Sequence, residues 1–141
     1  MLPDIALMMQ ATYDDKGFYC VNTAYIIPID DKLILAILNS KVTHFYYSRI
    51  TSSIRGGYMR FIRQYLETIP IPTVFNTSTG QILKIADNVL NLKNQINSSS
   101  LTTDRQQLQR AIDHAERRID ELVYELYGLS EEEVAIIEHE H

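Results

Sequence analysis

The chain has 141 residues, of which 45% are hydrophobic and 22% are charged, a balance typical of folded globular proteins and unlike that of disordered or fibrous ones. This length predicts one compact unit with a helical appendage rather than two independent domains. The single cysteine, Cys20, excludes an internal disulfide and predicts a reducing compartment, with the thiol buried as a small apolar group. No stretch approaches the ~20 apolar residues that span a bilayer, and the start lacks the basic region of a signal peptide, so we expect a cytoplasmic protein without membrane contact.

The charge is unevenly distributed along the chain. A net charge of −5 argues against nucleic-acid binding, because phosphate contacts need Lys and Arg. However, residues 104–141 contain eleven acidic and four basic side chains, a charge of −7, and the other 103 residues carry +2. Residues 41–66 contain five basic side chains, no acidic one, and six of the 13 Phe and Tyr residues. A basic, aromatic-rich stretch therefore precedes an acidic C-terminal segment.

The N-terminal residues predict a β-hairpin. Residues 5–11 and 18–29 are rich in β-branched and aromatic side chains, and Asp-Asp-Lys-Gly at residues 14–17 supplies a turn between them. Pro28 should end the second strand, because proline cannot donate to a sheet ladder.

Two helices are expected next. Asp30 and Asp31 are suited to cap a helix over an apolar run that is buried on most sides. Asn-Ser at residues 39–40 offers either a break or a fresh cap for a second helix that continues to about Arg49.

A loop and an extended segment complete the first part of the chain. Thr-Ser-Ser-Ile-Arg-Gly-Gly at residues 51–57 has the small side chains and permissive glycines of a loop that can approach another molecule closely. Residues 58–62 are predicted to be extended. Ile-Pro-Ile-Pro at residues 69–72 can neither continue a helix nor donate to a central ladder, so we place a boundary at residue 72.

The remaining residues predict a helical hairpin and a short terminal helix. Residues 77–79 are expected to cap a helix over residues 81–96, and residues 102–104 a longer helix that extends to Tyr127. Gly128 occupies the position of a C′ glycine, and Ser130 followed by three glutamates predicts a capping box. The longer helix carries a near-heptad apolar stripe that can pair with the shorter one. The stripe consists of Leu108, Ile112, Ala115, Ile119, Leu122 and Leu126.

The basic, aromatic-rich stretch is the best candidate for contact with nucleic acid. Lys and Arg neutralise phosphates, and Arg, Ser, Thr and Tyr also reach base edges. Five phosphate contacts would give a slope of roughly −4.5 for log affinity against log salt concentration. The alternative is that the arginines form a solvated face and the aromatic rings pack in the core. The residues predicted to contact DNA are Lys41, Arg49, Ser52, Ser53, Arg55, Gly56, Gly57, Tyr58, Arg60 and Arg63.

A weaker pattern suggests metal chemistry. Asp4, preceded by proline, and Asp-Asp-Lys at residues 14–16 can be aligned with the spacing of Mg²⁺-dependent nucleases, in which carboxylates hold the metal. A hairpin turn has the same composition, and we prefer that interpretation. The four histidines share no metal-ligand spacing apart from the terminal Glu-His-Glu-His, so neither a metal site nor a catalytic residue is predicted.

Four short motifs occur in one order along the chain. They are Thr-Ala-Tyr-Ile-Ile-Pro (residues 23–28), Leu-Ile-Leu-Ala-Ile-Leu-Asn-Ser-Lys (33–41), Arg-Gly-Gly-Tyr-Met-Arg (55–60) and Ile-Pro-Ile-Pro (69–72). In order and spacing they resemble the TaqI-like C-terminal specificity domain of restriction–modification methyltransferases. Residues 119–134 resemble the segment that closes many fused type II restriction enzymes, where helices follow the target-recognition domain.

The resemblance implies a domain that helps the methyltransferase domain of the same parent chain read a short sequence in double-stranded DNA before adenine is methylated. Catalysis would lie elsewhere, because the Asn-Pro-Pro-Tyr motif that holds the flipped adenine is absent here, as is a cofactor-binding glycine motif. S-adenosylmethionine, and Mg²⁺ if the parent also cuts DNA, would therefore bind the parent enzyme and not this fragment. Because the first strands begin abruptly, we expect the recognition domain to be truncated at its N-terminus.

We therefore predict an α+β fold in two parts. Residues 1–72 form a small β-rich target-recognition module with packed helices, and residues 73–141 form an antiparallel helical hairpin, a spacer or docking element, with a short terminal helix. The predicted function is non-catalytic recognition of a DNA sequence. The alternative is a helical protein-interaction module in which the hairpin drives homodimerisation and the basic stretch is only surface.

Overall fold

The computed structural model describes residues 1–19, 24–73 and 76–140, so that Cys20 and His141 lie outside the described residues. The strands are β1 (Leu2–Pro3), β2 (Ile5–Ala6), β3 (Ala24–Tyr25), β4 (Ser53–Ile54) and β5 (Tyr58–Arg60). The helices are α1 (Lys32–Leu38), α2 (Lys41–Ile50), α3 (Arg63–Leu66), α4 (Thr77–Ser98), α5 (Thr102–Leu126) and α6 (Glu131–His139). The predicted α+β class, with packed helices and a helical hairpin, is confirmed.

The predicted pairing of residues 5–11 with residues 18–29 is wrong. β1 pairs antiparallel with β3, whereas β2 pairs antiparallel with β5, so that Ile5 lies opposite Arg60. β2 instead joins a three-stranded sheet in the order β2-β5-β4, which is more stable than a lone pair of strands, and β1 and β3 form a separate two-stranded sheet. Residues 20–23, in the middle of the second predicted strand, lie outside the described residues.

Helices α1 and α2 begin at predicted caps. The Asp31 carboxylate accepts a hydrogen bond from the Leu33 amide at 2.8 Å, and the Ser40 hydroxyl accepts one from the Thr43 amide at 3.4 Å. Both bonds satisfy amides that have no partner within the helix. Lys41 is the first residue of α2, so the basic, aromatic-rich stretch begins at the start of this helix.

The predicted loop at residues 51–57 contains a strand. Residues of β4 pair with β5, and Ile54 lies opposite Tyr58, so residues 55–57 form the turn of a β-hairpin. Tyr47 of α2 is fully buried beneath this hairpin, where its hydroxyl donates to the Arg60 carbonyl at 2.8 Å. The hairpin is thus anchored to α2 by a buried side chain.

The helical hairpin forms as predicted, but its caps differ. Asn76, rather than a residue at 77–79, caps α4: its side chain accepts from the Thr79 amide, and the Thr79 hydroxyl accepts from the Asn76 amide. Helix α5 follows Leu101, which supplies no side-chain cap. The predicted end of α5 is confirmed, because Gly128 has φ of +65° and the Leu129 amide donates to the Tyr124 carbonyl, as in a Schellman motif.

Within the described residues, two clusters of buried side chains form the core, and α1 contributes to both. One cluster joins α1 to α4 and α5, and the apolar stripe of α5 packs there within the chain. The other joins the end of α1 to the strands and α2. The first cluster includes Leu33, Ala36, Ile37, Ile82, Ala86, Val89, Ile112, Ala115, Ile119, Leu122 and Val123, and the second includes Leu2, Met9, Leu38, Tyr47, Met59, Phe61 and Ile69.

Helix α6 packs back against α2. The predicted capping box is present, with the Ser130 amide donating to Glu133 and the Glu133 amide to the Ser130 hydroxyl. The buried side chain of Ile137 anchors this helix, which contacts α2. No helix in the described part of the chain is long and apolar enough to cross a membrane.

Candidate nucleic-acid interface

The turn of the β4–β5 hairpin consists of an exposed arginine followed by two glycines. The Gly57 amide donates to the Ile54 carbonyl at 3.1 Å and closes the turn. Gly56 and Gly57 have φ of +90° and +80°, a region that side chains with a Cβ rarely adopt. Arg55 therefore projects into solvent from the tip of a turn whose shape depends on glycine, and the preceding residues Ser52 and Ser53 are also exposed.

The Tyr58 side chain lies beside the same turn. A Cβ on Gly56 would sit 3.5 Å from the Tyr58 ring, which is ordinary contact distance, so backbone and ring are adjacent. Side chains alternate along β5: Met59 is buried, while Tyr58 and Arg60 are exposed. Their cross-strand neighbours on that face, Ile54 and Ile5, are exposed as well. The outer face of the sheet thus combines an arginine, a tyrosine and two aliphatic side chains.

Helix α2 holds two predicted cations against α6. The Lys41 ammonium lies 2.6 Å from a Glu138 carboxylate oxygen. The Arg49 guanidinium makes two hydrogen bonds to Glu140, at 2.6 and 2.9 Å, and lies 3.6 Å from the centre of the Phe45 ring. The hydrogen bond and charge of Glu140 raise the pKa of Arg49, which stays a cation at any accessible pH.

Two other predicted cations also face carboxylates. Arg63, in the first turn of α3, lies 2.6 Å from Glu67 one turn later, and both side chains are largely exposed. Arg60 is 3.8 Å from Asp4, a longer contact on the outer face of the sheet. In the part of the chain that the structure describes, Arg55 is the member of the predicted set of cations that has no carboxylate partner.

The partners of these cations were missed from the sequence. Glu67 could have been found, because a glutamate four residues after an arginine on one helix face is a recognised pair. Glu138 and Glu140 could not, because they lie 97 and 91 residues from Lys41 and Arg49. The structure therefore divides the predicted interface into an open hairpin and a helix face covered by acidic side chains.

Asp120 of α5 lies at the junction between α2 and α6. Its carboxylate accepts a hydrogen bond from the Lys41 backbone amide at 2.9 Å, at the positive end of α2. Burial raises the pKa of Asp120 to about 6, against the lowering effects of the Lys41 amide and ammonium. The neighbouring Tyr124 hydroxyl donates to Glu138 at 2.6 Å, and burial, followed by this hydrogen bond, raises the pKa of Tyr124.

The carboxylates of the nuclease-like pattern do not converge. Asp14 accepts hydrogen bonds from the Lys16 and Phe18 amides at 2.9 and 2.8 Å, and the first of these bonds is the main reason that its pKa is lowered. Gly17, with φ of +70°, completes the turn. Within residues 1–19, 24–73 and 76–140, no three His, Cys, Asp or Glu side chains are grouped so that they could hold a metal ion.

The fold is a small α+β domain that exposes a cationic hairpin and carries a helical hairpin behind it. The chain belongs to the family of TaqI-like C-terminal specificity domains, whose model matches residues 1–71. The resemblance found in the sequence motifs is therefore confirmed.

Relatives extend the similarity into the helical part. The chain is 27% identical over 136 residues to the type II methyltransferase M.PaeR7I of Pseudomonas aeruginosa, in an alignment that covers 94% of the chain and 20% of that protein. It is 25% identical over 140 residues to the type II methyltransferase M.XhoI of Xanthomonas vasicola, covering 97% of the chain and 22% of that protein. The chain spans about a fifth of the length of these relatives. No solved structure matches it.

Proposed function

We propose that this chain recognises a short sequence in double-stranded DNA as the specificity part of a type II methyltransferase, with the β4–β5 hairpin as its base-reading element. The family match and the similarity to two type II methyltransferases support a role in sequence recognition within restriction–modification. In this proposal the methyl transfer, and the S-adenosylmethionine it consumes, belong to a methyltransferase domain of the same parent protein. The 141 residues would contribute no catalytic group.

The observation that carries this proposal is the exposed hairpin tip. A two-stranded β-ribbon fits the major groove of B-DNA, where each base pair presents a distinct set of donors and acceptors. Among the described residues no carboxylate holds Arg55 at the tip, and arginine donates two hydrogen bonds to guanine in the commonest specific contact of this kind. Gly56 and Gly57 let the backbone approach closely, while Ser52, Ser53 and Tyr58 line the ribbon.

The other cations of the set fit backbone contacts. Arg60, on the outer face of the sheet, and Arg63, at the start of α3, are exposed enough to reach phosphates. Phosphate contacts position a protein on the duplex but carry no sequence information. We therefore assign Arg55 to base reading and Arg60 and Arg63 to positioning.

The proposal is tested with Arg55→Gln in the full-length gene product that carries this chain. The preferred sequence is first selected from a pool of random duplexes, and affinities are then measured for that site and for each of its single-base-pair variants. Losing a bidentate contact should weaken binding to the preferred site by ~1–3 kcal/mol and remove discrimination at one base pair. The matched control is Arg110→Gln, which removes the same charge from an exposed position on α5. Equal effects of the two substitutions would contradict the proposal.

The dimerisation alternative has its own measurement. The apolar stripe of α5 packs against α4 inside the chain, so a dimer built on the helical hairpin would have to use its outer residues. Sedimentation equilibrium over a range of concentrations tests for such a dimer. A monomer that still binds duplex DNA would favour recognition over dimerisation as the main function.

A further inference from the structure

The carboxylates of Glu138 and Glu140, at the C-terminal end of α6, form ion pairs with two cations of α2. The partners in each pair lie more than 90 residues apart in the sequence. Glu138 lies 2.6 Å from the Lys41 ammonium, and Glu140 receives two hydrogen bonds from the Arg49 guanidinium. Both basic side chains belong to the set predicted to contact DNA. Their present partners are acidic side chains from the most negative segment of the protein.

The geometry of these pairs is the one that a phosphate group would use. An arginine fork makes two parallel hydrogen bonds to a carboxylate or to a phosphate, and a lysine binds either as a point charge. Glu140 thus stands where one phosphate oxygen pair would stand, and Glu138 where another anion would lie beside Lys41. The Phe45 ring lies against the guanidinium, whose central carbon is 3.6 Å from the ring centre.

The Arg49–Glu140 pair can be exchanged for another anion at small cost, whereas the Lys41–Glu138 pair is more enclosed, because the Lys41 side chain is 27% exposed and Glu138 also accepts a hydrogen bond from the Tyr124 hydroxyl. The side chains of Arg49 and Glu140 are 47% and 43% exposed, and exposed ion pairs contribute only ~0–1 kcal/mol each. Both glutamates lie at the C-terminal end of α6, where Glu140 is the cap residue. The helix is anchored by the buried Ile137, directly before Glu138, and by the capping box at Ser130, so the Glu140 side chain can leave Arg49 while the helix stays docked.

We infer that the face of α2 formed by Lys41 and Arg49 is a second binding site for the DNA phosphate backbone, which Glu138 and Glu140 occupy until phosphates replace them. The inference rests on the proposed function for the identity of the anion. It assigns to α6 a definite effect: the helix weakens non-specific attraction to DNA, because two cations of the interface are neutralised until a duplex is close enough to compete. Sequence reading by Arg55 is independent of this exchange.

The test is a mutant cycle in the full-length gene product. Glu138→Gln/Glu140→Gln removes the two competing charges and leaves an acceptor for the Tyr124 hydroxyl. The matched control is Glu131→Gln/Glu132→Gln, which removes the same charge from exposed positions on the same helix and spares Glu133 of the capping box. Thermal unfolding of each variant checks that the fold is retained.

Affinity for a duplex without the preferred site should rise roughly tenfold more in Glu138→Gln/Glu140→Gln than in the control. The gain should vanish when Lys41→Gln/Arg49→Gln is added, because the exchange then has no site. Lys41→Gln/Arg49→Gln alone should reduce the slope of log affinity against log salt concentration by about 1.8, which corresponds to two lost phosphate contacts.

The inference is overturned if the gain equals that of the control or survives the loss of Lys41 and Arg49. It is also overturned if the salt slope does not change. If the response to Arg55→Gln is intact in either case, the proposed function stands and only this inference fails. Absence of duplex binding in every variant would overturn the proposed function and this inference together.

Discussion

Asp120 joins helix α5 to helix α2 through one carboxylate. In the sequence it is one of eleven acidic residues in an acidic segment, with nothing to set it apart. In the fold it is 9% exposed and accepts the first amide of α2, so it keeps a hydrogen-bond partner and loses most of its water. Burial disfavours the charged form of a carboxyl group more than the nearby Lys41 favours it, and the pKa rises to about 6.

A dependence of stability on pH follows from Asp120. The folded protein holds this proton up to about pH 6, whereas the unfolded chain releases it near 3.8. The stabilisation is therefore complete below the unfolded pKa and is lost as pH rises through about 6, a change of about 3 kcal/mol at most. Asp120→Asn keeps an acceptor for the Lys41 amide and removes the titration.

Denaturant unfolding of wild type and Asp120→Asn is compared between pH 3.5 and 7.5. The free energy of unfolding of the variant, relative to wild type, should increase with pH across the window from about 4 to 6. Asp113→Asn, an exposed position on the same helix, provides the control. A difference between Asp120→Asn and wild type that does not vary with pH would show that the Asp120 carboxyl group is not destabilised by burial.

At the scale of single elements, helix caps could be predicted from the sequence, whereas the pairing of strands could not. The caps by Asp31 and Ser40, the C′ glycine Gly128 and the capping box at Ser130 were predicted correctly, because each depends on residues a few positions apart. The partner of β2 was not, because a strand of two residues has no register of its own and pairs where a neighbour is available. Helix α4 begins earlier than predicted, since Asn76 outcompetes the threonines that follow it.

The β4–β5 hairpin provides a prediction at this scale. Gly57→Ala places a Cβ on a backbone with φ of +80°, so it should destabilise the turn by about 1 kcal/mol and weaken binding to the preferred DNA sequence. Gly80→Ala is the counterpart, because Gly80 lies in α4 with open space around it and alanine should stabilise that helix by ~0.5–1 kcal/mol. Thermal unfolding and DNA affinity are measured for both. An equal loss of DNA affinity after Gly80→Ala would contradict a specific role of the β4–β5 hairpin in DNA recognition.

For the whole molecule, the basic composition of the predicted interface could be read from the sequence, but the ion pairs that its cations form could not. The basic, aromatic-rich composition of residues 41–66 could be identified from the sequence alone. Lys41 and Arg49 face Glu138 and Glu140 because α6 packs back against α2. This arrangement depends on the burial of Ile137 and on the helical hairpin, which are tertiary contacts. The division at residue 72 stays a prediction. Side chains of α1 lie in both core clusters, so this helix connects the two predicted parts.

Leu122→Ala tests whether the two parts fold as one unit. Leu122 is 1% exposed in the cluster that joins α5 and α4 to α1, and its truncation should cost ~2–5 kcal/mol. Because Leu38 of α1 continues into the other cluster, beside Tyr47 and Phe61, the loss should lower amide-exchange protection in the sheet and α2 as much as in the helical hairpin. Ile136→Ala, at an exposed position of α6, controls for the loss of an aliphatic side chain. Protection lost in α4 and α5 alone would instead mean that the recognition module unfolds independently, with the boundary near residue 72.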